Sequence, residues 1–288
     1  MLKQRVITAI VLLAVLLAAL LAPSAWPLVI LLALAAVCAL WEWLRLTWTR
    51  RPSPIPLVVA VLLGIIMCSA AAQWAPLPPV QSGLELFHRG GGWLTMGMAA
   101  VWIVGITLLV VQGDTGRAPG SLVLSVFGLL AVWTAWVSLT QLYLAYGAWF
   151  LVSFLALIWL ADIAAYFCGK AFGKHKLAPR VSPGKTWEGA LGGVVAAAIW
   201  VCASAFWEGS FGHVLSQRWH LALVFIIAAG LAAVSIVGDL FESLLKRRAN
   251  VKDSSQLLPG HGGVYDRIDA LLPTAPLALL LTAAAASS

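Results

Sequence analysis

Polar residues are sparse in this chain and fall at near-regular intervals, which divides it into nine apolar runs of 17 to 23 residues. They cover 6–22, 25–45, 56–76, 92–112, 121–142, 147–169, 187–207, 220–241 and 270–286. A helix needs roughly 20 mostly apolar residues to cross a bilayer. In lipid the backbone must satisfy its own hydrogen bonds, so such runs are predicted to be helices. The pattern predicts an all-α fold: a polytopic helical membrane protein with about nine transmembrane helices. The last run is short and Ala-rich, and is the weakest match to a full span. No internal repeat or low-complexity tract is evident.

Composition supports this pattern. Of 288 residues, 62% are hydrophobic and 10% charged, against about 25% charged in soluble domains. Lys3 and Arg5 precede the first run and "APSA" follows it, as in a secretory leader. The run is long for a leader, however, and further spans follow at once, so it is read as a retained span. Cys38, Cys68, Cys168 and Cys202 lie within apolar runs without metal-ligand spacing, and read as small buried residues. Most of the 15 tryptophans read as interface or core residues, while Trp187 lies in a dense polar motif.

Positive charge sets the orientation. With the N-terminus cytoplasmic and nine spans, the cytoplasmic segments hold five groups of cations: Lys3 and Arg5; Arg45, Arg50 and Arg51; Arg117; Lys170, Lys174, Lys176, Arg180 and Lys185; and Lys246, Arg247, Arg248, Lys252 and Arg267. These are 16 of the 18 Lys and Arg, leaving Arg89 and Arg218 outside. The positive-inside rule favours that arrangement. The net charge of +7 then belongs to one face, suited to anionic headgroups and anionic solutes.

Acids are few and informative. Asp162 in "LIWLADIAAYF", Glu188 in "KTWEGALGG", and Asp239 with Glu242 in "IVGDLFESLLKR" all fall near the cytoplasmic ends of spans. Aspartate has too short a stem to snorkel, so an intramembrane Asp faces a polar cavity or a partner. Two loops share this face: "CGKAFGKHKLAPRVSPGKTWEG" and "KRRANVKDSSQLLPGHGGVYDRID". Both interleave cations with Gly, Pro and Ser, and acid-bearing spans flank both. Such a mixture suits a polyphosphate with a hard divalent cation: Lys and Arg take phosphate oxygens, carboxylates hold the cation, and glycines admit the backbone. Simple anchoring to anionic lipid would explain the cations but not the acids and glycines among them.

Other motifs fail. "SPGKT" ends like a nucleotide P-loop, but the leading glycine would fall at Pro179 and no strand is expected before it. The "KHK" of residues 174–176 and the distant His261 make no zinc set. G-x-x-x-G spacing is not expected where it would matter, although Gly192 and Gly193 suit close helix packing.

The stretch "SLLKRRANVKDSSQLLPGHGGVYDRID", Ser243 to Asp269, resembles the signature of the phosphatidate cytidylyltransferases, the CDP-diacylglycerol synthases, at every required position. "FGKHKLAPRVSPGKTWEG" and the opening "LKQRVITAI" are also similar to that family. One departure is Ile163, where the family carries a small or hydroxyl residue after the Asp of the "AD…AYF" segment. The resemblance implies that CTP and phosphatidate are converted to CDP-diacylglycerol and pyrophosphate in phospholipid biosynthesis. It implies N-terminal transmembrane helices at 1–142 and a C-terminal catalytic region at 143–288, within one integral membrane unit. The site would lie on the cytoplasmic face of the inner, or plasma, membrane.

Resemblance and chemistry together assign roles. Asp239 and Asp266 are the expected ligands of Mg2+. Lys252, Asp253, His261 and Arg267 are catalytic candidates, with Lys252, Arg267, Lys246 and Arg247 directed at triphosphate oxygens. Ser182, Lys185 and Thr186 are candidates for substrate phosphate. Gly262 and Gly263 shape the turn around His261. Asp162, Glu188 and Asp269 stand behind these, orienting lysines or supporting a second cation. Expected partners are CTP, phosphatidate, membrane lipid and a second copy of the chain, with no nucleic acid. The alternatives are another lipid-linked phosphotransferase or a transporter. The first would bring D-G-x-x-A-R or adjacent aspartates, which the chain lacks. The second would place polar groups at the midplane rather than at one face.

Overall fold

The computed structural model describes residues 2–48, 53–74, 82–117 and 121–285, with side chains from residue 6 onward. Arg50, Arg51, the side chains of Lys3 and Arg5, and the tips of the runs expected at 56–76 and 270–286 lie outside the described residues.

Helices α1 (Leu2–Leu20), α2 (Trp26–Thr47) and α3 (Ile55–Trp74) come first. Pro27 opens α2 at a position where its missing N–H costs nothing. A short α4 (Gly83–Arg89) follows, capped by the Ser82 hydroxyl, which accepts from Glu85 N at 3.2 Å. Helix α5 (Gly92–Ala100) passes through a π-helical segment, Val101–Ile106, into α6 (Thr107–Gln112). Helix α7 runs from Leu122 to Phe172 and is capped by Ser121.

Its 51 residues amount to about 76 Å, more than twice a hydrocarbon core. Gly147, at φ 82° and ψ −174°, breaks it into two halves; the positive φ suits glycine. After α7 comes an antiparallel hairpin, β1 (Lys176–Ala178) and β2 (Ser182–Thr186), with Lys176 opposite Thr186 and Ala178 opposite Ser182. Helices α8 (Trp187–Ser204), α9 (Phe211–Ser216), α10 (Leu221–Arg248), α11 (Tyr265–Ile268) and α12 (Leu271–Ala285) complete the chain.

The all-α membrane architecture holds. Among the described residues, seven helical stretches are long and apolar enough to cross a membrane: Trp26–Thr47, Ile55–Trp74, Gly92–Gln112, Leu122–Phe172, Trp187–Ser204, Leu221–Arg248 and Tyr265–Ala285. This differs from the expected nine in two places. The runs at 121–142 and 147–169 form one broken helix, and the described apolar part of the first run, Val6–Leu20, is too short for a full span. Large apolar side chains such as Ile10, Leu34, Ile65, Val104, Ile199 and Ile226 lie exposed, as lipid-facing residues would.

The interior is aromatic. Trp43 is fully buried, its Nε1 donates to Leu124 O at 2.9 Å, and its ring packs on Trp102, Phe127, Phe241 and Tyr265 at centroid distances of 5.1 to 6.4 Å. This cluster ties α2 to the π-helical segment, α7, α10 and α11. The C-terminal half of α7 lies against α8 through small residues. A Cβ at Gly193 would sit 2.6 Å from Ala161 O, and one at Gly189 would sit 2.7 Å from Ala165 O. Gly189 and Gly193 therefore form a working G-x-x-x-G pair, which corrects the sequence expectation, and Gly192 instead meets Cys168.

Candidate active site

The glycine contact between α7 and α8 forms one side of a cleft of about 430 Å³, closed by the hairpin and α10. Asp162, Lys170, Lys185, Thr186 and Asp239 line it, with Ala161, Ala165, Tyr166 and Ile236 as apolar wall. Lys185, on β2, forms an ion pair with Asp239 across the cleft. "SPGKT" is thus strand β2, not a loop. Thr186 ends it and caps α8, its Oγ1 accepting from Gly189 N at 3.2 Å. Ser182 is half-buried at the other end of that strand. Glu188, in the first turn of α8, bonds His175 Nδ1 at 2.7 Å and accepts from His175 N at 3.3 Å, which braces the hairpin against α8.

Asp239 also belongs to a second group. One carboxylate oxygen each of Asp239, Glu242 and Asp269 lie within 4.8 Å of one another, and these three alone form such an acidic group among the described residues. The i, i+3 spacing puts Asp239 and Glu242 on one face of α10. Asp269 arrives from the junction of α11 and α12, and Gly238 permits the approach. A Cβ at 238 would lie 2.5 Å from Asp269 O and 2.9 Å from Pro273 Cγ. Glu242 is buried, and its Oε1 has no hydrogen-bond partner. Its Oε2 pairs with Lys246 Nζ at 2.6 Å, and the same Nζ reaches Asp266 Oδ1 at 2.6 Å. Acids and lysines thus alternate from the cleft into the signature loop.

Asp266 is occupied by that loop. Its Oδ2 accepts from Ser254 N at 2.9 Å, Ser254 Oγ at 2.7 Å and Gly263 N at 2.8 Å. With Lys246 on Oδ1, both oxygens are engaged, and Asp269 rather than Asp266 stands beside Asp239. Gly262, at φ +83°, lies where a Cβ would be 3.0 Å from Asp266 Oδ2. A side chain at Gly263 would collide with Ser254 Oγ and the Glu42 carboxylate. His261 O accepts from Arg267 Nε at 3.2 Å and Nη2 at 2.5 Å, while His261 Nδ1 is buried without a partner. Lys252, Asp253, Arg247 and Arg267 are exposed, and Arg247 Nε donates to Val181 O at 3.3 Å, tying α10 to the hairpin.

Sequence reasoning overlooked Glu42. It is fully buried on α2 yet bonds four groups of the signature loop. An acid inside the run "LWEWLRL" was the available signal.

Residues 3–285 match the model of the cytidylyltransferase family. The chain belongs to that family. It is 38% identical over 290 residues to the phosphatidate cytidylyltransferase of Pseudomonas aeruginosa, covering 99% of this chain and 98% of that protein. It is 35% identical over 289 residues to the phosphatidate cytidylyltransferase of Haemophilus influenzae, covering 96% of each. It is also 37% identical over 246 residues to the protein of that name from Brucella suis, covering 84% of this chain and 79% of that protein.

Proposed function

We propose that the protein transfers the cytidylyl group of CTP to phosphatidate, giving CDP-diacylglycerol and pyrophosphate. The observation that carries this is the continuous line of Lys185, Asp239, Glu242 with Asp269, Lys246 and Asp266, one end of which opens into a cleft between membrane helices. Near-full-length similarity to proteins of that name supports the same reading.

The chemistry asks little proton transfer of the protein. A phosphate oxygen of phosphatidate is already an anionic nucleophile. It bonds to the α-phosphorus of CTP as the bond from that phosphorus to the α,β-bridging oxygen breaks, and pyrophosphate leaves with the electron pair. Catalysis of this kind comes from positioning and charge stabilisation. Lys185 and Lys246 already carry carboxylate partners, and in this reading they turn to phosphate oxygens when substrate enters. Thr186 and Ser182 border the lipid phosphate, with Lys170 behind them. Exposed Ile163, Phe167 and Trp187 near the cleft suit acyl chains arriving from the bilayer.

The residues present fit a divalent cation. Three carboxylates converge, and Glu242 Oε1 is buried with no hydrogen bond to lose. Asp239, Glu242 and Asp269 would hold it, so the ligand role expected of Asp266 passes to Asp269 while Asp239 keeps its own. When bound, Mg2+ would neutralise charge on the phosphates and the departing pyrophosphate. Asp162, across the cleft, is the candidate support for a second cation. Asp266, Gly262 and Gly263 shape the loop that brings Asp269 into place, and His261 anchors Arg267 through its carbonyl. Exposed Lys252, Asp253 and Arg247 are candidates for groups that triphosphate meets on entry. The hairpin and signature loop are assigned to the cytoplasm of a multi-pass inner-membrane protein: with the first run and each half of α7, broken at Gly147, counted as a crossing, 16 of 18 cations fall on that side.

Purified protein in detergent should release pyrophosphate from CTP only when phosphatidate and Mg2+ are both present. Release that ignores phosphatidate, or that needs a sugar nucleotide instead, would refute the reaction.

A further inference from the structure

We propose that Glu42, contributed by α2, is a positioning residue for the reacting site, a role that rests on the cytidylyl transfer read above. Its Oε1 accepts from Ser255 Oγ at 2.5 Å and Val264 N at 3.0 Å. Its Oε2 accepts from Tyr265 N at 2.6 Å and lies 2.9 Å from Ser254 Oγ, whose one proton it shares with Asp266. The residue is fully buried, and no cation pairs with it among the described residues. A buried carboxylate without a counter-ion is costly, and here two backbone N–H groups, the Ser255 hydroxyl and a share of the Ser254 hydroxyl offset the cost.

Those bonds define what it does. Val264 and Tyr265 open the last membrane helix, where N–H groups have no intrahelical acceptor and the helix dipole favours negative charge. Glu42 therefore caps that helix from another part of the chain. Asp266 follows at the next residue, and Asp269 lies four residues beyond Tyr265. Ser254 Oγ links the cap to Asp266, lying 2.9 Å from Glu42 and 2.7 Å from Asp266 Oδ2. Trp43, the neighbour of Glu42, packs its ring 5.1 Å from the Tyr265 ring, so α2 grips the helix start twice. Gly263 gives independent support, since any side chain there would fall on the Glu42 carboxylate. The seat is built for this acid, and the acid sets the height and rotation at which Asp269 meets Asp239 and Glu242.

Glutamine is a sharp probe because it has the same shape. Each oxygen of Glu42 accepts from a backbone N–H, so either orientation of a glutamine amide turns an NH2 donor toward a backbone donor. Aspartate is one methylene too short to reach both groups. The test uses full-length Glu42→Gln and Ser255→Ala proteins purified in detergent. Mn2+ affinity is read by electron paramagnetic resonance, amide exchange across 252–269 by mass spectrometry, and turnover with CTP and phosphatidate.

Glu42→Gln is expected to weaken Mn2+ binding and turnover about tenfold or more, as loss of an outer-shell support does. Exchange across 252–269 should rise about tenfold while other segments keep their protection. Ser255→Ala removes one donor and should move all readouts in the same direction by less. It carries the test alone if Glu42→Gln does not fold. Mn2+ affinity indistinguishable from the parent in the folded variants would overturn the positioning role, whatever the exchange. A parent protein that binds Mn2+ but ignores phosphatidate would refute the reaction instead, and a parent that binds no Mn2+ would overturn both.

Discussion

Replacing Asp269 and Asp266 separately by asparagine separates holding a cation from building the loop. Asp269 Oδ1 accepts from Ala270 N at 2.8 Å, a bond an asparagine oxygen can keep. The substitution also removes one of three carboxylates crowded within 4.8 Å, so folding should be unharmed. In the proposed site, what is lost is one charged cation ligand. Removing a single group that meets developing charge costs about 10²–10³ in turnover, or about 2.7–4 kcal/mol. Asp266 is the reverse case. Its Oδ2 receives two backbone N–H groups and a hydroxyl while Oδ1 faces Lys246. An asparagine NH2 must therefore oppose either the ammonium or the backbone donors. Both side chains are shielded, at 8% and 15% exposure, so solvent screens the loss little. A buried donor left unsatisfied costs about 1–3 kcal/mol, and Lys246 keeps Glu242, which holds the loss within that range. Unfolding midpoints in detergent and turnover at saturating CTP should therefore split: Asp269→Asn stable and inactive, Asp266→Asn destabilised. A stable, Mn2+-binding Asp269→Asn enzyme with near-normal turnover would refute the assignment.

Three further outcomes follow from the geometry. Gly193→Val places a Cβ 2.6 Å from Ala161 O, which forces α7 and α8 apart by a few tenths of an ångström or more. It should cost about 1–3 kcal/mol and lower turnover, measured by thermal unfolding and CTP assay. Lys185→Gln frees Asp239 and removes a phosphate donor. Turnover should fall about a hundredfold with the unfolding midpoint little changed, because the pair is part-exposed. Single cysteines at the exposed positions Arg180 and Gln256 should resist an impermeant thiol reagent in intact cells and react after lysis. Labelling of either in intact cells would overturn the cytoplasmic assignment.

The membrane architecture was legible because lipid leaves the backbone only its own partners, and long apolar runs then mean helices. The break inside α7 was less so. The two runs at 121–142 and 147–169 fall on either side of it, but nothing in the sequence shows that Gly147 takes a positive φ and that helix resumes directly on both sides. The hairpin was hidden because Pro183 and Gly184 make "SPGKT" read as a loop, although cross-strand pairing with 176–178 orders it. The density of acids and lysines pointed to the right segments without resolving which acid faces which partner. Asp266 and Asp269 lie three residues apart at one helix start and both meet α10, Asp266 through Lys246, and the close contact at Gly238 brings Asp269 to Asp239. Glu42 was not legible in the signature, because the acid that seats that loop lies about 220 residues upstream on α2.

The central claim is attack on the α-phosphorus of CTP by a lipid phosphate, and the fate of label tests it most directly. Purified protein with phosphatidate, Mg2+ and CTP labelled at either the α- or the γ-phosphorus should send the α label into the lipid phase and the γ label into aqueous pyrophosphate. Recovery of the γ label in lipid, or of no label there while CTP is consumed, would contradict it.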